Sequence, residues 1–151
     1  MGFRFLLALA AAAVITSVTA AAASNARTVA IGAGDDMKFS VSEIRAKRGE
    51  RLRLVLSSSG TMPKMVMAHN VVVLAQGTDV TAFANASAMA RATAYVAPAF
   101  AAQVIAATPL AGNGETVEVT FDVPNAPGRY EYVCSFPGHF LAGMRGVILV
   151  N

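Results

Sequence analysis

The sequence predicts an all-β fold, a Greek-key β-sandwich or barrel of about eight strands with one small helical insertion. Apolar and polar residues alternate with period two in several short segments, as in strands that bury one face. Clusters of Pro, Gly and Asn separate these segments, as at residues 124–128. The alanine-rich stretch between Gln76 and Pro98 favours helix by its intrinsic propensity. We therefore expect the helical insertion at about residues 77–98.

The N-terminal 23 residues have the layout of a cleavable export signal. Arg4 precedes an apolar run from Phe5 to Ile15, and small residues then continue through Ala23. The apolar run is shorter than the about 20 residues that a membrane-spanning helix needs. We expect a signal peptide at residues 1–23, one domain at 24–151, and a periplasmic location for that domain. An uncleaved membrane anchor is the alternative.

The predicted strands follow one another along the remaining chain. The alternation is clearest where Leu52, Leu54 and Leu56 fall on one face of a strand, and Tyr130 and Tyr132 do so in a later one. The predicted strands are Arg27–Ile31, Lys38–Val41, Arg51–Leu56, Asn70–Leu74, Thr116–Val123, Arg129–Cys134 and Arg145–Val150.

Five cationic residues gather in the first half of the chain, whose formal net charge is only +3. We interpret the cluster as a solvated strand edge, because charges on an edge strand oppose pairing with another molecule; a docking patch is the alternative. Aromatic residues do not interleave with it, so we expect no nucleic-acid partner. The cluster consists of Arg45, Lys47, Arg48, Arg51 and Arg53.

Four side chains form the donor set of a copper site. Cys134 is the only cysteine, His69 and His139 are the only histidines, and Met144 follows the second histidine closely. One thiolate and two imidazoles in a plane, with a weak axial thioether, are the ligands of mononuclear electron-transfer copper centres. Zinc favours four strong donors and rarely takes a thioether. We therefore predict one copper ion bound by these four residues.

The spacing around these residues supports a single site. Pro137 and Gly138 impose a turn directly before His139, and Gly143 frees the backbone directly before Met144. His69 must come from another segment, immediately before a predicted strand. Asn70 is a candidate to hydrogen-bond across to the cysteine loop and support the ligands from behind.

These motifs resemble those of the cupredoxins, or blue copper proteins, most closely azurins and auracyanins. The similar segments are Gly34–Phe39, Met62–Asn70, Thr120–Val123 and Cys134–His139. The resemblance implies that Asn70 tethers the ligand loop. It also implies the contacts to copper: Nδ1 of His69, Sγ of Cys134, Nδ1 of His139 and Sδ of Met144.

Three departures from azurin accompany this resemblance. His139 and Met144 are five positions apart, the spacing of auracyanins and plastocyanins, whereas azurins have four. Ala68 stands where azurin has a glycine whose carbonyl approaches the metal, so its carbonyl is the candidate for a weak second axial contact. A single cysteine cannot form the disulfide that azurin has.

The resemblance implies an electron carrier, and not an enzyme, that cycles between Cu(II) and Cu(I). Its expected partners are redox proteins such as c-type cytochromes or a membrane oxidoreductase, with no small-molecule substrate. The alternative is an exported copper carrier or chaperone that uses Met62, Met65 and Met67 as soft ligands. Copper enzymes with further metal centres need more histidines than this chain has. The expected electron port near His139 consists of Met62, Met67, Phe136, Pro137, Phe140 and Leu141.

Overall fold

The computed structural model describes residues 26–151, so the predicted export signal at residues 1–23 lies outside the described residues. Eight strands form two sheets, and one α-helix with two 3-10 turns lies between β4 and β5. The prediction of a β-sandwich of about eight strands with one small helix is confirmed. The strands are β1 Arg27–Ala33, β2 Glu43–Ala46, β3 Arg51–Ser58, β4 Val72–Leu74, β5 Val104–Ala107, β6 Thr116–Asp122, β7 Gly128–Val133 and β8 Arg145–Val150.

The first sheet has the order β1-β3-β6, with β1 parallel and β6 antiparallel to the central β3. Alternation in β3 gives one fully buried face, formed by Leu52, Leu54 and Leu56. On the opposite face Arg51 pairs with Asp122 on β6 at 2.8 Å. The interpretation of the cationic cluster as a strand edge is therefore wrong for β3, because both of its sides are hydrogen-bonded to neighbours and its arginines form cross-strand ion pairs.

The second sheet has the order β2-β8-β7-β4-β5. β7 runs antiparallel to both β8 and β4, and Val72 at the start of β4 is opposite Val133 at the end of β7. The start of β4, the end of β7 and the start of β8 therefore meet at one pole of the sandwich, called the metal pole below. The turn between β6 and β7 lies at the other end of β7, at the distal pole.

The helical region lies against the second sheet. α1 spans Val80–Ala88 and begins at Asp79, whose side chain accepts a hydrogen bond from the amide of Ala82 at 2.9 Å. Phe83 on α1 is fully buried and packs with Val72 and Leu74 of β4. The 3-10 turns Arg91–Thr93 and Pro98–Gln103 complete the region. Among residues 26–151, no helix combines the length and the apolar character that a membrane crossing requires.

Two strand predictions differ from the structure. The segment Lys38–Val41 is not a strand and makes only an isolated bridge between Ala33 and Phe39. Met37 has a left-handed backbone with φ of 53°, which interrupts the extended chain just before this segment, and a strand forms later as β2. β5 was missed because Val-Ile-Ala-Ala has no period-two alternation and follows the alanine-rich region directly.

Truncation of a buried leucine of β3 should lower the free energy of unfolding far more than truncation of an exposed leucine. We expect Leu54→Ala to lower the free energy of unfolding by about 3 kcal/mol, because it leaves a cavity between the sheets. Leu141→Ala removes the same atoms from a side chain that is 77% exposed and should cost less than about 0.5 kcal/mol. Urea denaturation of both variants tests this, and equal losses would contradict the assignment of the core.

Candidate metal centre

His69 lies just before β4 and is fixed there by a pair of backbone hydrogen bonds. Its amide donates to the carbonyl of Ala111 at 2.9 Å, and the amide of Ala111 donates back to the carbonyl of His69 at 2.8 Å. This isolated antiparallel bridge ties the histidine to the segment before β6. No sequence signal marked Ala111, because a backbone bridge requires no particular side chain.

The loop from β7 to β8 carries the other three predicted ligands and is closed by its own backbone. The amide of Cys134 donates to the carbonyl of Met144 at 3.1 Å, and the amide of Met144 donates to the carbonyl of His139 at 3.0 Å. Gly138 and Gly143 have φ of 85° and 88°, in the left-handed region that favours glycine. These hydrogen bonds and turns fix the relative positions of the three ligand backbones.

The structure brings three predicted donors together at the metal pole. One donor atom from each of His69, Cys134 and His139 lies within 4.8 Å of the other two, and all three residues are buried. Sγ of Cys134 is 3.3 Å from Nδ1 of His139. Nδ1 of His69 is buried and makes no hydrogen bond within residues 26–151. A buried nitrogen without a partner is unfavourable unless something binds it, and a metal ion would do so.

Burial also sets the protonation of these donors. It lowers the pKa of His139 to about 4, with the charge of His69 adding to the effect, and it lowers the pKa of His69. Burial raises the pKa of the Cys134 thiol to about 11, although backbone amide contacts oppose this shift. The imidazoles are therefore neutral at pH 7 and ready to bind a metal, whereas the thiol must lose a proton to do so.

Asn70 links the two ligand-bearing segments. Its Oδ1 accepts a hydrogen bond from the amide of Ser135 at 2.9 Å, and its Nδ2 donates to Oγ of Ser135 at 2.9 Å. Nδ2 also lies 3.4 Å from the carbonyl of Ala94 in the helical region. Both Asn70 and Ser135 are buried, so these bonds hold the neighbours of His69 and Cys134 together away from water. The sequence suggested Asn70 but not Ser135, whose only signal is its position after the cysteine.

Two further predicted positions lie beside the cluster. Met144 is fully buried in the main core together with Cys134. The carbonyl oxygen of Ala68 is 4.0 Å from Sγ of Cys134. The Ala68 carbonyl thus approaches the thiol from another segment, whereas Met144 is joined to Cys134 by a backbone hydrogen bond within the loop.

The residues predicted for the electron port differ in exposure. Leu141 and Met62 are 77% and 41% exposed, and Pro137 is exposed as well. Phe136 is buried and its ring centroid lies 4.9 Å from that of His139. The two remaining members, Met67 and Phe140, are half-buried.

A buried thiol and two neutral imidazoles close together at one pole of the sandwich are a donor set that suits a mononuclear copper ion. The chain belongs to the plastocyanin/azurin family of copper-binding proteins, whose family model matches residues 26–151. Copper is accordingly its cofactor, bound at a single type 1 site that the cluster of His69, Cys134 and His139 fits.

The chain is similar in sequence to auracyanins and azurins. Auracyanin-A of Chloroflexus aurantiacus is 34% identical over 82% of this chain and 74% of its own length. Azurin of Pseudomonas fluorescens biotype C is 36% identical over 82% of this chain and 97% of its own length. Auracyanin-B of Chloroflexus aurantiacus is 44% identical, but the match covers 55% of this chain and only 35% of that protein.

Solved structures of auracyanins are similar to this structure. The blue copper protein auracyanin A from Chloroflexus aurantiacus superposes with a TM-score of 0.71 at 32% identity, covering 83% of this chain and 98% of that chain. Dithionite-reduced auracyanin from Roseiflexus castenholzii gives a TM-score of 0.68 at 27% identity, over 82% of this chain and 96% of that chain.

Removal of the Asn70 side chain should destabilise the protein and loosen the metal pole. We expect Asn70→Ala to lower the free energy of unfolding of the metal-free protein by about 2 kcal/mol, because Ser135 is left with buried, unpaired polar groups. Asn113 is a matched control, since it is exposed and accepts one hydrogen bond, from the amide of Gly60 at 3.1 Å. Urea denaturation should show a clearly smaller loss for Asn113→Ala; similar losses would refute the linking role of Asn70.

Proposed function

We propose that this protein is an exported, periplasmic electron carrier whose copper ion is held by His69, Cys134, His139 and Met144. The observation that carries the proposal is the buried cluster of one thiol and two imidazoles at the metal pole, together with Nδ1 of His69, which has no hydrogen-bond partner among residues 26–151. The membership of the plastocyanin/azurin family supports the same assignment.

The residues of this chain supply a rigid and dry binding site. Hydrogen bonds between backbones hold His69, Cys134, His139 and Met144 in place. When bound, copper supplies a one-electron couple between its cupric and cuprous states. The buried side chains around these residues would hold the ligands in similar positions in both states, so that little rearrangement would oppose electron transfer. Met144 would supply a thioether as a weak ligand, and the Ala68 carbonyl would be a further weak contact.

Exposed apolar side chains at the metal pole are the proposed electron port. Leu141 lies in the same loop as His139, and Met62 precedes His69 in the other ligand-bearing segment. An exposed apolar patch of this kind is typical of a protein-binding surface, and a small patch suits brief contacts between redox proteins. The proposed partners are c-type cytochromes or a membrane oxidoreductase.

A copper carrier or chaperone is the second candidate function. Met65 and Met62 are 77% and 41% exposed and offer thioethers that prefer Cu(I). We favour the electron-transfer function over the copper carrier. A copper carrier would have no need for the deeply buried Cys134, whereas a stable electron-transfer site requires its thiolate. The two functions differ in which residues are essential, so substitutions separate them.

A titration with Cu(II) tests the proposed ligands. We expect the purified chain without its signal to bind one equivalent of copper and to develop an intense visible thiolate-to-copper band. Cys134→Ser should abolish the band, because a hydroxyl cannot replace the thiolate as the charge-transfer donor. The double variant Met62→Leu, Met65→Leu is the matched control and should keep the colour. Loss of colour in this control, or a colourless unmodified protein, would favour the copper carrier or chaperone.

A charge placed on the exposed patch tests the port. We expect Leu141→Glu to slow electron exchange with a c-type cytochrome roughly tenfold, because about 1.4 kcal/mol is lost when the carboxylate is desolvated in the encounter complex. Ala126 is exposed in the turn at the distal pole, so Ala126→Glu adds the same charge away from the port. Stopped-flow mixing at constant ionic strength measures both rates. Equal slowing by the two variants would indicate a general charge effect and would exclude the port.

A further inference from the structure

Lys38 contacts the ligand loop from a distant segment of the chain. Its Nζ donates a hydrogen bond to the carbonyl of Ala142 at 2.5 Å, although 104 positions separate the two residues. Ala142 lies between the predicted ligands His139 and Met144. Lys38 is thus the one lysine among residues 26–151 whose ammonium group hydrogen-bonds to this loop.

The turn before Lys38 has a fixed shape that places its side chain. The amide of Met37 donates to the carbonyl of Gly34 at 3.0 Å, and Met37 itself has φ of 53°. A Cβ atom at Gly34 would approach the carbonyl oxygen of Ser59 to 2.8 Å, so a larger residue there would displace the turn. The side chain of Met37 also packs against the main core. These contacts hold the backbone of Lys38 beside the metal pole.

The Ala142 carbonyl accepts its hydrogen bond from Lys38 and not from the loop itself. The turn pairs the amide of Ala142 with the carbonyl of Gly138, and the amide of Gly143 with the carbonyl of Phe140. Within residues 26–151, no backbone amide outside the regular strands and helices donates to the Ala142 carbonyl. A Cβ atom at Gly143 would lie 3.1 Å from Nζ of Lys38, so the ammonium lies directly over the turn that leads to Met144.

The ammonium group of Lys38 is bonded to a backbone carbonyl and not to a carboxylate. In the part of the chain that the structure describes, its ammonium makes no ion pair within 4.0 Å. Asp36 is close in sequence, but its carboxylate accepts from the backbone amide of Lys38 at 3.3 Å. A positive charge beside a metal site stabilises the reduced, less positive state of the site relative to the oxidised state.

We propose that Lys38 is a positioning residue of the copper site, which fixes the Ala142–Met144 turn by its hydrogen bond and raises the reduction potential by its charge. The second half of this proposal rests on the proposed function. The first half concerns the fold of the chain alone. Because Lys38 is exposed, salt should weaken the effect of its charge but not the hydrogen bond to the loop.

The experiment compares Lys38→Met, Lys38→Arg and a control, Lys47→Met. Lys38→Met keeps a long apolar stem and removes the charge and the donor. Lys38→Arg keeps both. Lys47 is exposed in the turn between β2 and β3, away from the ligand loop, so its substitution changes the net charge alone. Both positions are at the surface, and thermal unfolding of each of the three variants checks that the fold is retained.

The first measurement uses the metal-free protein and follows hydrogen exchange of the Gly143 amide, which is bonded to the carbonyl of Phe140 at 2.9 Å. We expect faster exchange in Lys38→Met, and unchanged exchange in Lys38→Arg and Lys47→Met. Unchanged exchange in Lys38→Met would overturn the positioning role. This result does not depend on copper, so it is distinct from a failure of the proposed function, which appears as the absence of the visible band in the unmodified protein.

The second measurement is voltammetry of the copper-loaded variants at low and high ionic strength. Lys38→Met should have a more negative reduction potential than the unmodified protein, with a smaller difference at high salt. Lys38→Arg should restore the potential, and Lys47→Met should not change it. An identical potential in Lys38→Met, or an equal shift in Lys47→Met, would overturn the role of Lys38 in setting the potential.

Discussion

The antiparallel pairing of β4 with β7 is the constraint on which the metal centre depends. Because Val72 is opposite Val133, the residues just before β4 and just after β7 emerge at the same end of the sheet. His69 and Cys134 are those residues, within three positions of the paired valines. A shift of this register by one residue would turn the buried side chains of β4 to the other face and would separate the two donors. The hydrogen bonds between Asn70 and Ser135 hold the same register at its end.

Burial of the donors has a cost that the scaffold must offset. A buried thiol and two buried imidazoles contribute less to the free energy of folding than apolar residues would, and Nδ1 of His69 has no partner in the described chain. The fully apolar faces of β3 and β4 offset this cost elsewhere in the sandwich. The same burial lowers the pKa values of both histidines, so neutral imidazoles are present where metal ligands are required. Burial of the donors therefore costs folding free energy but keeps the imidazoles neutral for metal binding.

Features of this protein that depend on side chains could be predicted from the sequence, whereas features that depend on the backbone alone could not. The candidate donors could be found because a chain with one cysteine and two histidines leaves few combinations, and their chemistry indicates copper. The strands with clear alternation, such as β3 and β6, could be found as well. Contacts that involve only backbone could not, as the bridge between His69 and Ala111 shows. The absent strand at Lys38–Val41 depends on the left-handed conformation of Met37, which the sequence pattern does not reveal.

In the proposed function, the burial of His139 limits how electrons would reach the surface. The residue is only 2% exposed, so a partner cannot contact its ring over any large area, and the neighbouring side chains must form most of the contact. Leu141 and Pro137 are exposed on the same loop, whereas Phe136 packs beneath them against the imidazole. Metal binding and partner contact would thus be assigned to different side chains. In the proposed function the buried ring would bind the metal and the exposed apolar side chains would contact the partner, so the partner surface could vary without disturbing the ligands.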